Sequence, residues 1–277
     1  MTTWKSFLTR AASAVVALAL IFFLYFMWAI NGLKAAVAVI VAIGTWELVC
    51  ILFKNSSSKF LKFLFFVLTL VVFAATCVSL STGSLIFALA LIVLIIANLL
   101  VENKAGDLNA MTSYHSKAAL GLFYMGLLPA FAYRLLDQHN GLAWFAFLLA
   151  SVFAGDTMAY VFGVLFGKHK VMPSVSPKKT WEGSLGGFLG SLTAGLLCWL
   201  FFFPEGSALF MVILAGVSGF VGQFGDFFES LLKRVADVKD SGKIMPGHGG
   251  VLDRIDGVLF ASPVVLSGIL ILSHLLS

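Results

Sequence analysis

This chain has little charge. Only 11% of its 277 residues are Asp, Glu, Lys or Arg, while 60% are hydrophobic. A soluble domain carries roughly 25% charged residues, so a free-standing soluble fold is excluded. Proline is scarce, with six residues in all, which leaves long stretches without a helix breaker. Cysteine is scarcer still. Cys50, Cys77 and Cys198 sit singly in apolar runs, with no CxxC and no disulfide framework. No G-x-x-x-x-G-K-[ST] occurs, so there is no P-loop. Nor is there a long basic run or a basic patch interleaved with aromatics, so nucleic acid is not an expected partner.

What the chain does have is apolar length. Its 28 Phe and mean hydropathy of +1.02 accompany runs near the ~20 residues that a membrane helix needs. Nine spans are expected: 11–30, 33–53, 61–80, 84–101, 118–135, 142–166, 184–203, 207–232 and 254–275. Polar breaks such as Asn31-Gly32, Ser81-Thr82-Gly83 and Pro204-Glu205-Gly206 separate them. The run from Ala11 to Ile30 is too long for a typical signal-peptide core, and no clear A-x-A cleavage site follows it. The fold class is therefore all-α: a polytopic integral membrane protein with an uncleaved first helix. It reads as a single domain over 1–277, with scaffold helices in 1–135 and catalytic helices and loops in 142–275.

The few charges are sided. Of the 18 Lys and Arg, all but Lys34 and Arg134 fall at the N-terminus or on alternate loops. By the positive-inside rule that side is cytoplasmic, and with it the N-terminus. The net charge of +5 is thus largely a topology signal. The long loops 102–117, 167–183 and 233–253 all lie on the same side.

Charge concentrates in "SLLKRVADVKDSGKIMPGHGGVLDRIDG", residues 230–257. Just upstream, Asp226, Glu229 or Ser230, and Lys233 recur at helical spacing and share one face. Two readings stand for these acids: a functional site inside the membrane, or an interfacial last turn, solvated or paired with Lys233. Asp253 and Asp256 are three apart at the start of the last span. They read as helix N-terminal acids favoured by the dipole, or, with Asp226, as a carboxylate set of the kind Mg²⁺ takes together with substrate phosphates. Gly249 and Gly250 would let the backbone offer N–H groups to an anion. His248 reads either as a phosphate contact or proton carrier, or as a solvated loop residue. Lys233, Arg234, Lys239, Lys243 and Arg254 suit phosphate, or anionic lipid.

A second stretch, "VSPKKTWEGSLGG" at 175–187, sets Lys178 and Lys179 ahead of the seventh span. They read as phosphate ligands or as a positive-inside flank. Gly183, Gly186, Gly187 and Gly190 read as close helix packing. Asp156, in "AGDTMAYVFG", is polar lining or a further contributor to a metal or substrate site.

These stretches resemble a known signature. Ser230-x-x-Lys233-Arg234-x4-Lys239-Asp240, followed by Pro246-x-His248-Gly249-Gly250-x-x-Asp253-Arg254-x-Asp256, is similar to that of phosphatidate cytidylyltransferases. "SPKKTWEG" and "DTMAY" resemble the same family, and the likeness covers roughly 150–257. Val164 and Ser174 stand where many members carry a basic residue, and Met245 where Leu, Ile or Phe is usual. The resemblance implies transfer of CMP from CTP to phosphatidate with Mg²⁺, releasing pyrophosphate. It implies a catalytic set of Asp226, Asp253, Asp256, Lys239, Asp240 and His248, the three Asp holding metal. Lys178, Lys179, Lys233, Arg234, Lys243, Gly249, Gly250 and Arg254 would bind phosphate. Asp156, Ser176, Glu182, Glu229 and Ser230 would support them. The expected setting is a bacterial inner membrane, with the active site cytoplasmic and lipid as surroundings. A second cation and a homodimer are left open. A CDP-alcohol phosphotransferase is disfavoured, because Phe260-Ala261 stands where its Ala-Arg should fall. A transporter is disfavoured by the absence of inverted repeats.

Overall fold

A computed structural model describes residues 2–54, 58–102, 107–244 and 249–276, with side chains at residue 16 and from 19 to 272 within those ranges. The chain is helical: α1 (Thr2–Leu52), α2 (Lys59–Val78), α3 (Leu80–Glu102), α4 (Leu108–Gly121), α5 (Leu128–Leu135), α6 (Gly141–Phe166), α7 (Trp181–Phe202), α8 (Ala208–Val235) and α9 (Leu252–Leu276). A π-helical segment, Leu122–Leu127, joins α4 to α5. Lipid offers the backbone no hydrogen-bond partner, so apolar segments of this length close their bonds internally as helices.

Among the described residues, eight helices are long and apolar enough to cross a membrane, against nine expected. The difference lies at the start. Spans 11–30 and 33–53 fall within α1, whose backbone breaks from helical geometry at Trp28 and Ala29 (φ 49°). The break is sharp enough to bring Gly32 against the Leu24 carbonyl, eight positions earlier. The other expected spans match α2 to α9 within a few residues, except that helix begins at Leu108, inside the expected loop 102–117. The loop 167–183 is not a plain linker. It holds an antiparallel hairpin, β1 (Lys170–Met172) with β2 (Ser176–Thr180), pairing Lys170 with Thr180 and Met172 with Ser176.

Two compact units divide the chain. One comprises Met1–Tyr133 with Val235–Arg254, the other Arg134–Arg234 with Ile255–Ser277. In the first, α2 packs on α1, α3 and the π segment. Phe65, Leu61, Leu94, Leu122, Tyr124 and Met125 are fully buried there.

The second unit is held by small residues. A Cβ on Gly190 would lie 2.8 Å from the Ala154 carbonyl, and one on Gly187 would lie 3.0 Å from Gly155 O, so α6 and α7 meet backbone to backbone. Ser191 Oγ donates to Ser151 O at 2.8 Å across that seam. Gly222 faces Gly257 (3.3 Å from its would-be Cβ to the carbonyl), and Gly225 lies against the Asp256 carbonyl, so α8 and α9 approach equally closely. Close approach of small residues is how membrane helices gain contact when lipid tails are as apolar as leucine. Pro263 lies inside α9 and cannot donate to Leu259 O. Ser262 Oγ fills that gap at 3.1 Å.

Gly190→Val should wedge α6 from α7 and lower the thermal midpoint of the purified protein, at a cost of about 1–3 kcal/mol. Gly163→Ala, whose Cβ would meet only ordinary contacts at 3.5 and 3.8 Å, should leave the midpoint unchanged in the same melt.

Candidate active site

In the second unit, α8 presents Asp226, Glu229, Ser230 and Lys233, as the helical spacing predicts. Asp226 is met from the hairpin. Lys179, near the end of β2, places its Nζ 2.6 Å from Asp226 Oδ2. The same ammonium stands 4.3 Å from the centre of the Phe227 ring, a cation–π contact that restricts where it can swing. Ser230 Oγ donates to Asp226 Oδ1 at 3.3 Å. Side-chain exposures of 27% for Lys179 and 35% for Asp226 leave the pair open on one side.

Asp256 joins this group from α9. Its Oδ1 accepts the Gly257 N–H at 2.8 Å. It is buried and interacts electrostatically with Asp226, Asp156 and Lys179. Gly225 makes this possible, since a larger residue would push α8 away from the Asp256 backbone. The unit thus brings together Asp156, Asp226, Asp256 and Lys179.

Neighbouring residues hold the frame. Glu229 is fully buried and ion-paired with Lys233 one turn on, which matches the paired reading for those two rather than a solvated turn. Arg234 Nε donates to Val175 O at 3.3 Å, tying the end of α8 to the hairpin. Glu182 accepts from the backbone N–H of Lys168 (3.0 Å) and His169 (3.2 Å), and its Oε1 lies 2.6 Å from His169 Nδ1. It therefore fastens the entry of the hairpin to the first turn of α7. Thr180 caps that helix through Gly183 N at 3.2 Å. Ser176 is half-buried in the hairpin, and Lys178 is exposed beside Lys179.

The first unit carries the other half of the charged stretch. Asp253 Oδ2 accepts from Ser241 N (2.9 Å), Ser241 Oγ (2.9 Å) and Gly250 N (2.8 Å). Gly250, read from the sequence as an anion donor, here gives its N–H to Asp253. Gly249 adopts φ +84°, and a Cβ there would meet Asp253 Oδ2 at 2.5 Å. Both glycines thus serve the fold of the loop itself. Lys239, Asp240, Lys243 and Arg254 are exposed. His248 lies outside the described residues.

Two contributors escaped the sequence reading. Glu47, buried in α1, accepts from Val251 N (3.1 Å), Leu252 N (2.9 Å) and Ser241 Oγ (3.2 Å). Lys54 Nζ donates to the carbonyls of Ala236 (2.9 Å) and Asp237 (3.4 Å) just beyond α8. The available signal for Glu47 was its isolation, since only Lys34 and Glu47 are charged between residues 19 and 53. Among the described residues, no group of three or more His, Cys, Asp or Glu side chains is arranged to hold a metal ion.

A family model described as "Cytidylyltransferase family" matches residues 8–272. The chain is similar to the phosphatidate cytidylyltransferase of Staphylococcus saprophyticus, 40% identical over 146 residues, covering 53% of this chain and 55% of that protein. It is 42% identical over 150 residues to the enzyme of that name from Brucella melitensis, covering 53% and 54%. For the Mycobacterium bovis protein of that name the figures are 37% over 139 residues, 49% and 44%. The chain spans about half the length of these relatives.

The buried Glu229–Lys233 pair makes its own prediction. Lys233→Met removes the cation paired with a buried carboxylate and should cost about 3–5 kcal/mol of stability, read as a lowered thermal midpoint. Adding Glu229→Leu to the same chain should restore most of the loss.

Proposed function

Because this chain belongs to the cytidylyltransferase family, we propose that it transfers the CMP moiety of CTP to phosphatidate, giving CDP-diacylglycerol and pyrophosphate. The observation that carries this reading is the Lys179–Asp226 pair beside the buried Asp256. Such a pair combines charge for phosphate with carboxylates for a cation. Phosphatidate supplies an ionised phosphate oxygen, which attacks the α-phosphorus of CTP in line. The bond from that phosphorus to the β-phosphate oxygen breaks, and pyrophosphate leaves with the electron pair. No strong general base is needed, so the protein's work is positioning and charge stabilisation.

Lys178 and Lys179 take phosphate oxygens, with Phe227 limiting the reach of Lys179. Lys233, Arg234, Lys239, Lys243 and Arg254 add positive charge. Asp240 and His248 complete the reacting set, and Ser176, Glu182, Glu229 and Ser230 hold it in place. Mg²⁺ is the proposed cation. It needs only one or two protein carboxylates when substrate phosphates fill the rest of its shell, and neighbouring Asp226 and Asp256, with Asp156 near them, fit that requirement. When bound, Mg²⁺ would draw charge from the phosphates. Asp253 is proposed as a further carboxylate whose first task, from its three donors, is to order its own loop. The proposed setting is a bacterial inner membrane with this chemistry on the cytoplasmic face. The support for that face is that, of the 15 Lys and Arg from Lys54 onward, all but Arg134 lie on or beside alternate connections.

Purified protein should release pyrophosphate from CTP only when phosphatidate is present; a transporter or a CDP-alcohol phosphotransferase would release none. Asp226→Asn should lose at least ~100-fold in turnover, about 3 kcal/mol of barrier, and Lys179→Ala at least ~10-fold, about 1.4 kcal/mol. Activity within ~2-fold of the parent, under about 0.5 kcal/mol, would sink either role.

Cysteines placed at the exposed positions Ser174 and Lys243 should resist an impermeant thiol reagent in intact cells and react after lysis. Labelling of intact cells would reverse the proposed sidedness.

A further inference from the structure

Glu47 is 3% exposed and lies within an apolar helix, where an ionisable group is costly and calls for an explanation. Its carboxylate is met by one segment of chain. Oε1 accepts from Val251 N, and Oε2 accepts from Leu252 N and Ser241 Oγ. The segment is shaped around it. A Cβ on Gly250 would lie 2.5 and 2.6 Å from the two carboxylate oxygens, and Gly242 packs against the same carboxylate. Two glycines are thus required because this acid occupies the space their side chains would need. Ser241 Oγ is shared, since Asp253 Oδ2 is also within 2.9 Å of it. A hydroxyl has one proton, so Glu47 and Asp253 are linked through a single donor. Seven residues further along, Lys54 grips the carbonyls of Ala236 and Asp237 at the other end of the same segment.

We infer that Glu47 is a positioning residue for the reaction: it fixes the segment carrying Lys239, Asp240, Lys243 and Asp253, so that the N-terminal helix is part of the phosphate-handling machinery and not scaffold alone. The inference rests on the functional reading above. Val251 and Leu252 present adjacent N–H groups to the two oxygens of one carboxylate, a pairing stronger than neutral hydrogen bonds. An amide at that position must turn a donor toward one of them. Glu47→Gln therefore breaks the anchor at constant volume and leaves Lys239 and Lys243 in the chain.

The test uses the full-length protein in lipid nanodiscs. Hydrogen exchange of peptides covering Gly249–Asp253 should quicken at least ~10-fold in Glu47→Gln, while helix α2 and the Tyr124 region keep parental protection. With CTP and phosphatidate as probes, the KM for CTP should rise at least ~5-fold with kcat within ~3-fold, the signature of lost ligand placement. Ser241→Ala should shift KM in the same direction, and the double variant should be no worse than Glu47→Gln alone, as expected of one network. Unchanged exchange at Gly249–Asp253 overturns the anchor whatever the activity. Faster exchange with parental KM and kcat overturns the positioning role, as does a fall in kcat without a KM change that is matched by loss of protection throughout the protein. A parent that releases no pyrophosphate would instead overturn the functional reading, and the exchange result would still decide the anchor.

Discussion

A carboxylate inside an apolar bundle survives only where donors or cations meet it. Unpaired, it costs several kcal/mol. Much of the arrangement described here follows from how particular acids meet that condition. Glu229 is paired with Lys233 within one turn. Asp226 takes Lys179 and Ser230. Glu47 takes two backbone N–H groups and a hydroxyl. Each solution fixes a piece of backbone: the last turns of α8, the β-hairpin, and the segment leading into α9.

Small residues make these solutions reachable. Charged side chains near a membrane helix must be brought to their partners by backbones that approach closely, and glycine allows that approach at Gly225 against Asp256 and at Gly250 against Glu47. The same economy explains why Gly249 and Gly250, which a motif reading assigns to substrate phosphate, appear here bound up with Asp253 and Glu47. A glycine in such a stretch can serve its own loop as readily as a ligand.

The hairpin shows how local chemistry can hide a fold. "SPKKTWEG" reads as a basic flank before a helix, and Thr180 does cap α7. Yet Lys170 to Thr180 pair as two short strands, and Glu182 binds the strand entry through Lys168 and His169. A two-stranded ribbon holds Lys179 more firmly than a loop would. That is how a lysine with four rotatable bonds comes to rest on one carboxylate and one ring.

By itself the sequence determined the helical class and most of the span boundaries. Hydrocarbon leaves a backbone no alternative to internal hydrogen bonding, so apolar length alone dictates helix, and polar breaks dictate where it ends. It also determined that Asp226, Glu229, Ser230 and Lys233 share a face, because that is a matter of helical period. The expected count of nine spans met a break at Trp28–Ala29 inside one element, where the dihedrals of two residues, rather than hydropathy, decide how the chain runs. Tertiary structure alone decided which charges meet across elements. Lys179 and Asp226 come together only when the hairpin folds onto α8. Glu47 reaches Ser241, Val251 and Leu252 across 194 to 205 positions of chain. No period or spacing encodes such a distance; it is set by the packing of helices, and the packing is set by where small residues let backbones touch.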